Sequence, residues 1–290
     1  MFYGSLVALV TPFKNGVIDE KALDGLIDFH VRSGTHGLVP CGTTGESATL
    51  TPEEHDRVIE MTVSMAAGRI PVMAGTGSNS TDEAITFTRH AKKAGASSAL
   101  LITPYYNKPT QEGLFQHYKA IAEAVDLPLV LYNIPGRTAV NLLPSTVARL
   151  MAFDNIVGIK EGTGSLQQIS DLVQLCGNRL AILSGDDFTA LPTMAVGGVG
   201  VISVSANIIP VEMAAMMDAA RRGDYSSALK IHDQVYSLHG AMFIETNPGP
   251  VKAALALMGK CSDEMRLPLV CMLPENHAKL VEVLKKHNLI

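Results

Sequence analysis

Eight short apolar, β-branched runs recur along the chain at intervals of roughly thirty residues, and each breaks at Gly, Thr, Asn or Pro before a longer stretch of helical period. They occupy residues 5–12, 37–42, 71–77, 98–104, 128–135, 156–162, 180–187 and 198–207. Between them, residues 20–33, 52–66, 81–94, 111–124 and 166–175 carry apolar side chains three and four apart, with Thr51, Thr110 and Ser165 at N-cap positions. Consecutive parallel strands need a crossover about this long, so the rhythm dictates βαβ units, and eight of them close into a (β/α)8 barrel of the TIM type. The rival is an open doubly wound sheet, which usually carries Gly-x-Gly-x-x-Gly after its first strand. Here that strand ends Thr11-Pro12-Phe13-Lys14. After Asn207 the alternation stops, and residues 211–221, 225–243, 250–258 and 275–287 read as helices without strands between them. The expectation is an α/β protein with a barrel over residues 1–224 and a C-terminal helical appendage over 225–290.

Composition excludes several classes of function. With 290 residues, 47% of them hydrophobic, the chain has material for one large core. A net charge of -5 and the lack of any Lys/Arg run argue against a nucleic-acid partner. Four cysteines without a Cys-x-x-Cys pair and nine histidines without His-Glu-x-x-His indicate neither a metal centre nor a disulfide framework, and no cofactor motif stands out. The apolar N-terminal run stops at Thr11-Pro12, too short for a membrane span or a signal peptide, so a cytoplasmic protein with reduced thiols is expected.

In a barrel the reacting groups sit at the C-terminal ends of the strands. Lys160, in Ile156-Val-Gly-Ile-Lys-Glu161, stands out there. Alternation places Ile156, Gly158 and Lys160 on one face and Val157, Ile159 and Glu161 on the other; if the first face is the lumen, Lys160 enters the mouth above a glycine. A lysine in water is neutral for only roughly one molecule in 2,500 at pH 7, yet only the neutral amine attacks a carbonyl. Burial in a packed barrel supplies the about 4 kcal/mol needed to change that; the alternative is a structural ion pair. Tyr132 ends the preceding strand, one strand spacing away, where it is either a packing residue or a phenol that moves the protons Schiff-base formation requires. Gly42-Thr-Thr-Gly-Glu46 is either a plain turn or a nest of backbone N–H groups for a carboxylate. Arg137, in Gly136-Arg-Thr138, is either a surface arginine or a fork beside the mouth suited to a carboxylate. Tyr105-Tyr106 is either an aromatic lid or a patch for another subunit.

Gly42-Thr-Thr-Gly-Glu46, Tyr132-Asn-Ile-Pro-Gly-Arg137, Gly158-Ile-Lys-Glu-Gly162 and Ser184-Gly-Asp-Asp187, in that order, make the whole chain resemble the dihydrodipicolinate synthase family. The lysine motif and the GTTGE turn are shared with a wider group of pyruvate-dependent class I aldolases and lyases. Arg137 and the stretch Glu245-Thr-Asn-Pro-Gly-Pro-Val-Lys252 resemble the synthase branch. The resemblance implies a lyase of the diaminopimelate and lysine route that condenses pyruvate, held as a Schiff base on Lys160, with L-aspartate 4-semialdehyde to give 4-hydroxy-tetrahydrodipicolinate. It implies Tyr132 as proton donor and acceptor, with Thr43 relaying to a Tyr106 supplied by a neighbouring subunit. It implies Thr43 and Thr44 as the pyruvate carboxylate cradle, Ile202 in the pocket wall, and Arg137 as the grip on the second substrate. It further implies a homo-oligomer, a dimer or a tetramer built as a dimer of dimers. Finally, it implies an effector site for lysine at Ser47, Ala48, His55, Asn79, Glu83 and Tyr105. Pro52 stands where lysine-sensitive members often carry histidine, and proline has no donor, so inhibition by lysine is expected to be weak or absent.

Two other functions fit a barrel of this kind: a keto-sugar aldolase of the N-acetylneuraminate type, and a pyruvate-binding barrel without activity. Arg137 favours an anionic second substrate over a sugar, and Lys160, Tyr132, Thr43 and Arg137 together have no use in a scaffold.

Overall fold

The eight apolar runs become eight parallel strands in a computed structural model that describes residues 2–290. They are β1 (Gly4–Ala8), β2 (Gly37–Val39), β3 (Met73–Gly75), β4 (Ser98–Ile102), β5 (Leu129–Asn133), β6 (Ile156–Glu161), β7 (Ala181–Ser184) and β8 (Gly200–Ser203). Each strand pairs with its neighbour in sequence, and β8 returns to β1. Between β2 and β3 the ring is completed by one parallel bridge, Leu38 to Val72, and by the bond from the Gly75 N–H to the Pro40 carbonyl, 2.9 Å. The sequence thus folds as the (β/α)8 barrel expected of it. The strands are shorter than the apolar runs because the C-terminal residues of those runs form the loops at the mouth.

Helices α1 (Glu20–Arg32), α2 (Pro52–Ala66), α3 (Thr81–Ala94) and α4 (Gln111–Ala124) cover the first half of the ring. Then come the single turn α5 (Pro135–Thr138), α6 (Pro144–Leu150), α7 (Leu166–Cys176), α8 (Ala190–Ala195) and α9 (Pro210–Arg221). Capping follows the sequence signals: Thr51 accepts from the Glu54 N–H while the Glu54 side chain accepts from the Thr51 N–H, and Thr110 and Ser165 cap α4 and α7. A two-residue hairpin, Phe13–Lys14 with Val17–Ile18, lies between β1 and α1.

Three more helices follow the barrel: α10 (Tyr225–Met242), α11 (Gly249–Leu257) and α12 (Pro274–Lys286). Helix α10 packs along α9, and α12 rests on α10 and α11. Val235, Leu238, Val251, Leu280 and Leu284 join the same apolar cluster as Leu23, Val58 and Met213 of the barrel helices. Among the described residues, no helix is long and apolar enough to cross a membrane. The lumen holds its own cluster, including Leu6, Val39, Met73, Val130, Leu183 and Ile202, which floors the mouth.

One detail of register decides where Lys160 points. Leu129 faces Ile156, but Val130 faces Gly158, so β6 carries an extra residue at Val157. The strict alternation expected from Ile156 therefore holds only from Gly158 onward: Ile156 packs with the outer cluster and Val157 against the lumen cluster. Beyond the bulge, Tyr132 faces Lys160, and Lys160 faces Leu183 on its other side. Without the bulge Tyr132 would oppose Ile159, which belongs to the outer layer.

Candidate active site

Lys160 leaves the end of β6 inside the mouth with only 6% of its surface exposed. Its Nζ lies 4.1 Å from the centroid of the Tyr132 ring, and Tyr132 is itself buried. The amine forms no ion pair with any carboxylate among the described residues, which sets aside the structural ion pair as the reason for its burial. A buried amine on an aromatic face, uncompensated by an anion, is placed to react with a carbonyl compound.

The turn after β2 presents Thr43 and Thr44 to the same space. Its ends, Cys41 (φ 55) and Glu46 (φ 54), are both left-handed without being glycine, at a cost of about 1–2 kcal/mol each. The turn closes through the Glu46 N–H to the Thr43 carbonyl, 3.1 Å, and the Gly45 carbonyl accepts from the Thr11 hydroxyl, 2.7 Å. The N–H groups of Thr43 and Thr44 donate to nothing among the described residues, so two adjacent donors remain free. That is the arrangement a small carboxylate requires.

Arg137 sits on α5, which Ile134-Pro135 starts and a left-handed Ala139 stops. Its guanidinium donates to the Asn247 carbonyl at 3.4 Å and is otherwise exposed. A small cavity of about 50 Å³ lies over Lys160, with Thr43, Thr44, Tyr132 and Gly185 in its wall. It adjoins a larger one of about 530 Å³; Thr43, Tyr132, Arg137 and Asn247 line both. The motif Ser184-Gly-Asp-Asp187 braces the rim: the Asp187 Oδ2 accepts from the N–H groups of Val204 and Ser205, at 3.1 and 2.9 Å. Burial raises the Asp186 carboxyl above its ordinary value, and the neighbouring Asp187 adds to this.

The structure thus brings Lys160, Tyr132, Thr43, Thr44 and Arg137 to one place. No hydrogen bond joins Thr43 to Tyr132. Tyr106 stands away from both cavities, 91% exposed on a left-handed residue (φ 71). Ile202 belongs to the lumen floor and lines neither cavity. Of the residues expected for an effector, Ser47, Ala48, His55, Glu83 and Tyr105 line the larger cavity together with Pro52. Asn79 lies outside its wall and donates to the Tyr105 carbonyl at 3.2 Å. His55 donates through Nε2 to the Gly75 carbonyl, 2.8 Å, and stacks on Phe87; burial holds its pKa below the ordinary histidine value.

Asn247 was not among the sequence candidates. It is buried, its Nδ2 donates to the Thr44 hydroxyl at 3.0 Å, and its Oδ1 has no partner among the described residues. A strand-end search misses it because it comes from the segment between α10 and α11. The only signal was the unusual Asn-Pro-Gly-Pro stretch around it.

A family model described as the dihydrodipicolinate synthetase family matches residues 1–287. The 4-hydroxy-tetrahydrodipicolinate synthase of Citrifermentans bemidjiense is 59% identical, with 100% of both chains covered. The crystal structure of dihydrodipicolinate synthase from Aquifex aeolicus superposes with a TM-score of 0.98 at 52% identity, covering 99% of each chain. The chloride-inhibited dihydrodipicolinate synthase from Acinetobacter baumannii, solved in complex with pyruvate, gives a TM-score of 0.98 at 48% identity over 100% of each chain.

Proposed function

We propose, from the premise that the chain belongs to the dihydrodipicolinate synthetase family, that it condenses pyruvate with L-aspartate 4-semialdehyde to give 4-hydroxy-tetrahydrodipicolinate on the route to diaminopimelate and lysine. The chain is a lyase of that family. The observation that carries its chemistry is the buried Lys160 amine on the Tyr132 ring, facing a cavity that two free N–H groups and Arg137 border.

In this reading the Lys160 amine adds to the ketone carbon of pyruvate, and loss of water gives an imine. The N–H groups of Thr43 and Thr44 hold the pyruvate carboxylate. Tyr132 returns a proton to the departing hydroxyl and then takes one from the methyl carbon, leaving an enamine. That carbon attacks the aldehyde of the second substrate, whose oxygen takes the proton back from Tyr132 and whose carboxylate Arg137 holds in a two-pronged grip. Attack by the substrate's own amine on the imine carbon closes the ring and frees Lys160. No cofactor or metal takes part. Because Tyr106 projects into solvent, the Thr43 relay calls on Tyr106 of a second copy, and the working form is a homo-oligomer, either a dimer or a dimer of dimers. A cytoplasmic location belongs to the same proposal.

The test is to incubate the chain with pyruvate and borohydride and map the adduct by mass spectrometry. A pyruvate-derived mass on Lys160 is expected. Its absence, or its appearance on another lysine, would overturn the assignment.

A further inference from the structure

A second buried lysine lies close to the site, on the helical segment after the barrel. Lys252, on α11, is fully buried, and its Nζ meets the Glu46 Oε1 at 2.5 Å, with both side chains shielded from water. The ammonium also donates to the Glu264 carbonyl at 2.6 Å and lies 4.4 Å from the centroid of the Phe13 ring. The other oxygen of Glu46 accepts from the Arg266 N–H at 3.2 Å. Glu46 is the left-handed residue that ends the turn carrying Thr43 and Thr44, and 206 residues separate it from its partner.

We propose that Lys252 is a positioning residue for the pyruvate cradle, holding Glu46 in its left-handed conformation so that the Thr43 and Thr44 N–H groups converge on one carboxylate. The inference rests on the reading of that turn given above. Two physical arguments support it. A fully buried ion pair is a poor way to add stability, because apolar side chains of the same volume do as well without the desolvation cost; such a pair is suited instead to fixing one backbone arrangement among several. Moreover, the grip is applied where the backbone is strained, and from the same stretch of chain that grips Thr44 through Asn247. The segment from Asn247 to Lys252 therefore touches the turn at both Thr44 and Glu46.

Lys252→Met removes the ammonium and leaves the Glu46 carboxylate buried against one N–H. The expected consequence is a turn that relaxes toward an ordinary conformation and spreads its donors. Glu46→Gln keeps one neutral oxygen for Lys252 to grip, while its amide nitrogen faces the Arg266 N–H and the ammonium stays buried without an anion, so the grip is weakened and not lost. The double variant Glu46→Gln/Lys252→Met buries no charge at this pair, so it keeps its fold even if the uncompensated carboxylate unfolds Lys252→Met, yet it has lost the grip. In the full-length chain, the pyruvate concentration that half-saturates borohydride trapping at Lys160 should rise at least about fivefold in Lys252→Met and in the double variant, and stay within that bound in Glu46→Gln. The Michaelis constant for the semialdehyde should change less than that for pyruvate, because Arg137 contacts Asn247 and not Lys252. A merely structural lysine would lower the melting temperature and leave pyruvate half-saturation of the folded protein unmoved. A smaller rise in either gripless variant, or an equal rise in Glu46→Gln, overturns the proposal. If wild-type protein is not trapped at Lys160 at all, the catalytic reading itself fails; if it is trapped and the variants match it, only the positioning role fails.

Discussion

Gly75→Ala should damage catalysis while sparing the fold. Gly75 ends β3, and a Cβ built on it would lie 2.2 Å from the Cys41 carbonyl oxygen and 2.6 Å from the carbonyl carbon. Ordinary contact begins at 3.4 Å, so strand and turn must separate by about 1 Å. Neither side yields freely. Gly75 is tied by its N–H to the Pro40 carbonyl and by its carbonyl to His55, while Cys41 is buried in a left-handed conformation. The displacement therefore passes along the chain to Gly42 and Thr43, at the base of the cradle. A misplacement of about 1 Å is worth about 100-fold in rate, or about 2.7 kcal/mol of transition-state free energy. Overpacking should also cost about 1–3 kcal/mol of stability, too little to unfold most domains of this size. The assay is steady-state turnover of pyruvate with aspartate 4-semialdehyde, run well below the melting temperature of the variant. Gly25→Ala is the control: Gly25 is exposed on α1 with no atom within 4 Å of an added Cβ, so activity should hold and stability rise by up to about 1 kcal/mol. A Gly75→Ala protein with kcat/KM within about threefold of wild type would refute the claim that turn position controls the chemistry.

Two further predictions concern ligand and pH. Lysine should inhibit only above about one millimolar, corresponding to less than about 4 kcal/mol of binding, because Pro52 lines the larger cavity without a donor; half-maximal inhibition at lower concentration in a titration at fixed pyruvate would contradict this. Burial lowers His117 to about 4, and burial with nearby Lys260 lowers His30 to about 3, both from 6.5. The unfolded chain thus takes up these protons first: the stability they contribute is complete above about pH 6.5 and is lost toward pH 4 for His117 and toward pH 3 for His30, at about 1.4 kcal/mol per pH unit for each histidine. Urea unfolding at pH 7, 6 and 5 should show a shallower acid decline in His117→Asn than in wild type, and identical slopes would contradict a His117 kept neutral by burial.

The fold was legible because each strand carries its own punctuation. Leu131, Tyr132 and Asn133 end in Ile-Pro-Gly, and Leu183 and Ser184 end in Gly-Asp-Asp, so local chemistry marks where a strand stops. That Tyr132 and Lys160 end adjacent strands, one strand spacing apart, was legible for a related reason, although their facing each other depends on the register. The bulge at Val157 was not legible, since Val157 and Ile159 are equally apolar and only the register of β5 tells them apart. The hairpin at Phe13–Lys14 and Val17–Ile18 was readable in principle, because Asn15-Gly16 is a strong two-residue turn signal, but with two residues per strand it lacks any alternation. Helix α6 is short in the same way: Val147 and Leu150 supply a single apolar spacing behind Pro144.

What spacing cannot reveal is the contribution of the last quarter of the chain to the mouth. Glu46 with Lys252, Thr44 with Asn247, and Glu54 with Arg266 each join residues about two hundred positions apart, and no periodicity connects them. Taken separately, Lys252 reads as one apolar-face lysine on a helix and Arg266 as one cation in an irregular stretch. Their meaning comes from the strain they oppose. Cys41 and Glu46 hold a turn that most side chains would abandon, and the barrel itself opposes this with the turn's own bonds and the Thr11 hydroxyl on the Gly45 carbonyl. Arg266 adds its two-pronged pair with Glu54, at 2.5 and 2.6 Å, and a bond to the Thr49 carbonyl, so the stretch just beyond the turn is held from the same side. The chain after α9 thus does more than bury apolar surface: helix α11 and the irregular stretches on either side of it supply contacts that hold the strained turn whose two N–H groups stay unpaired.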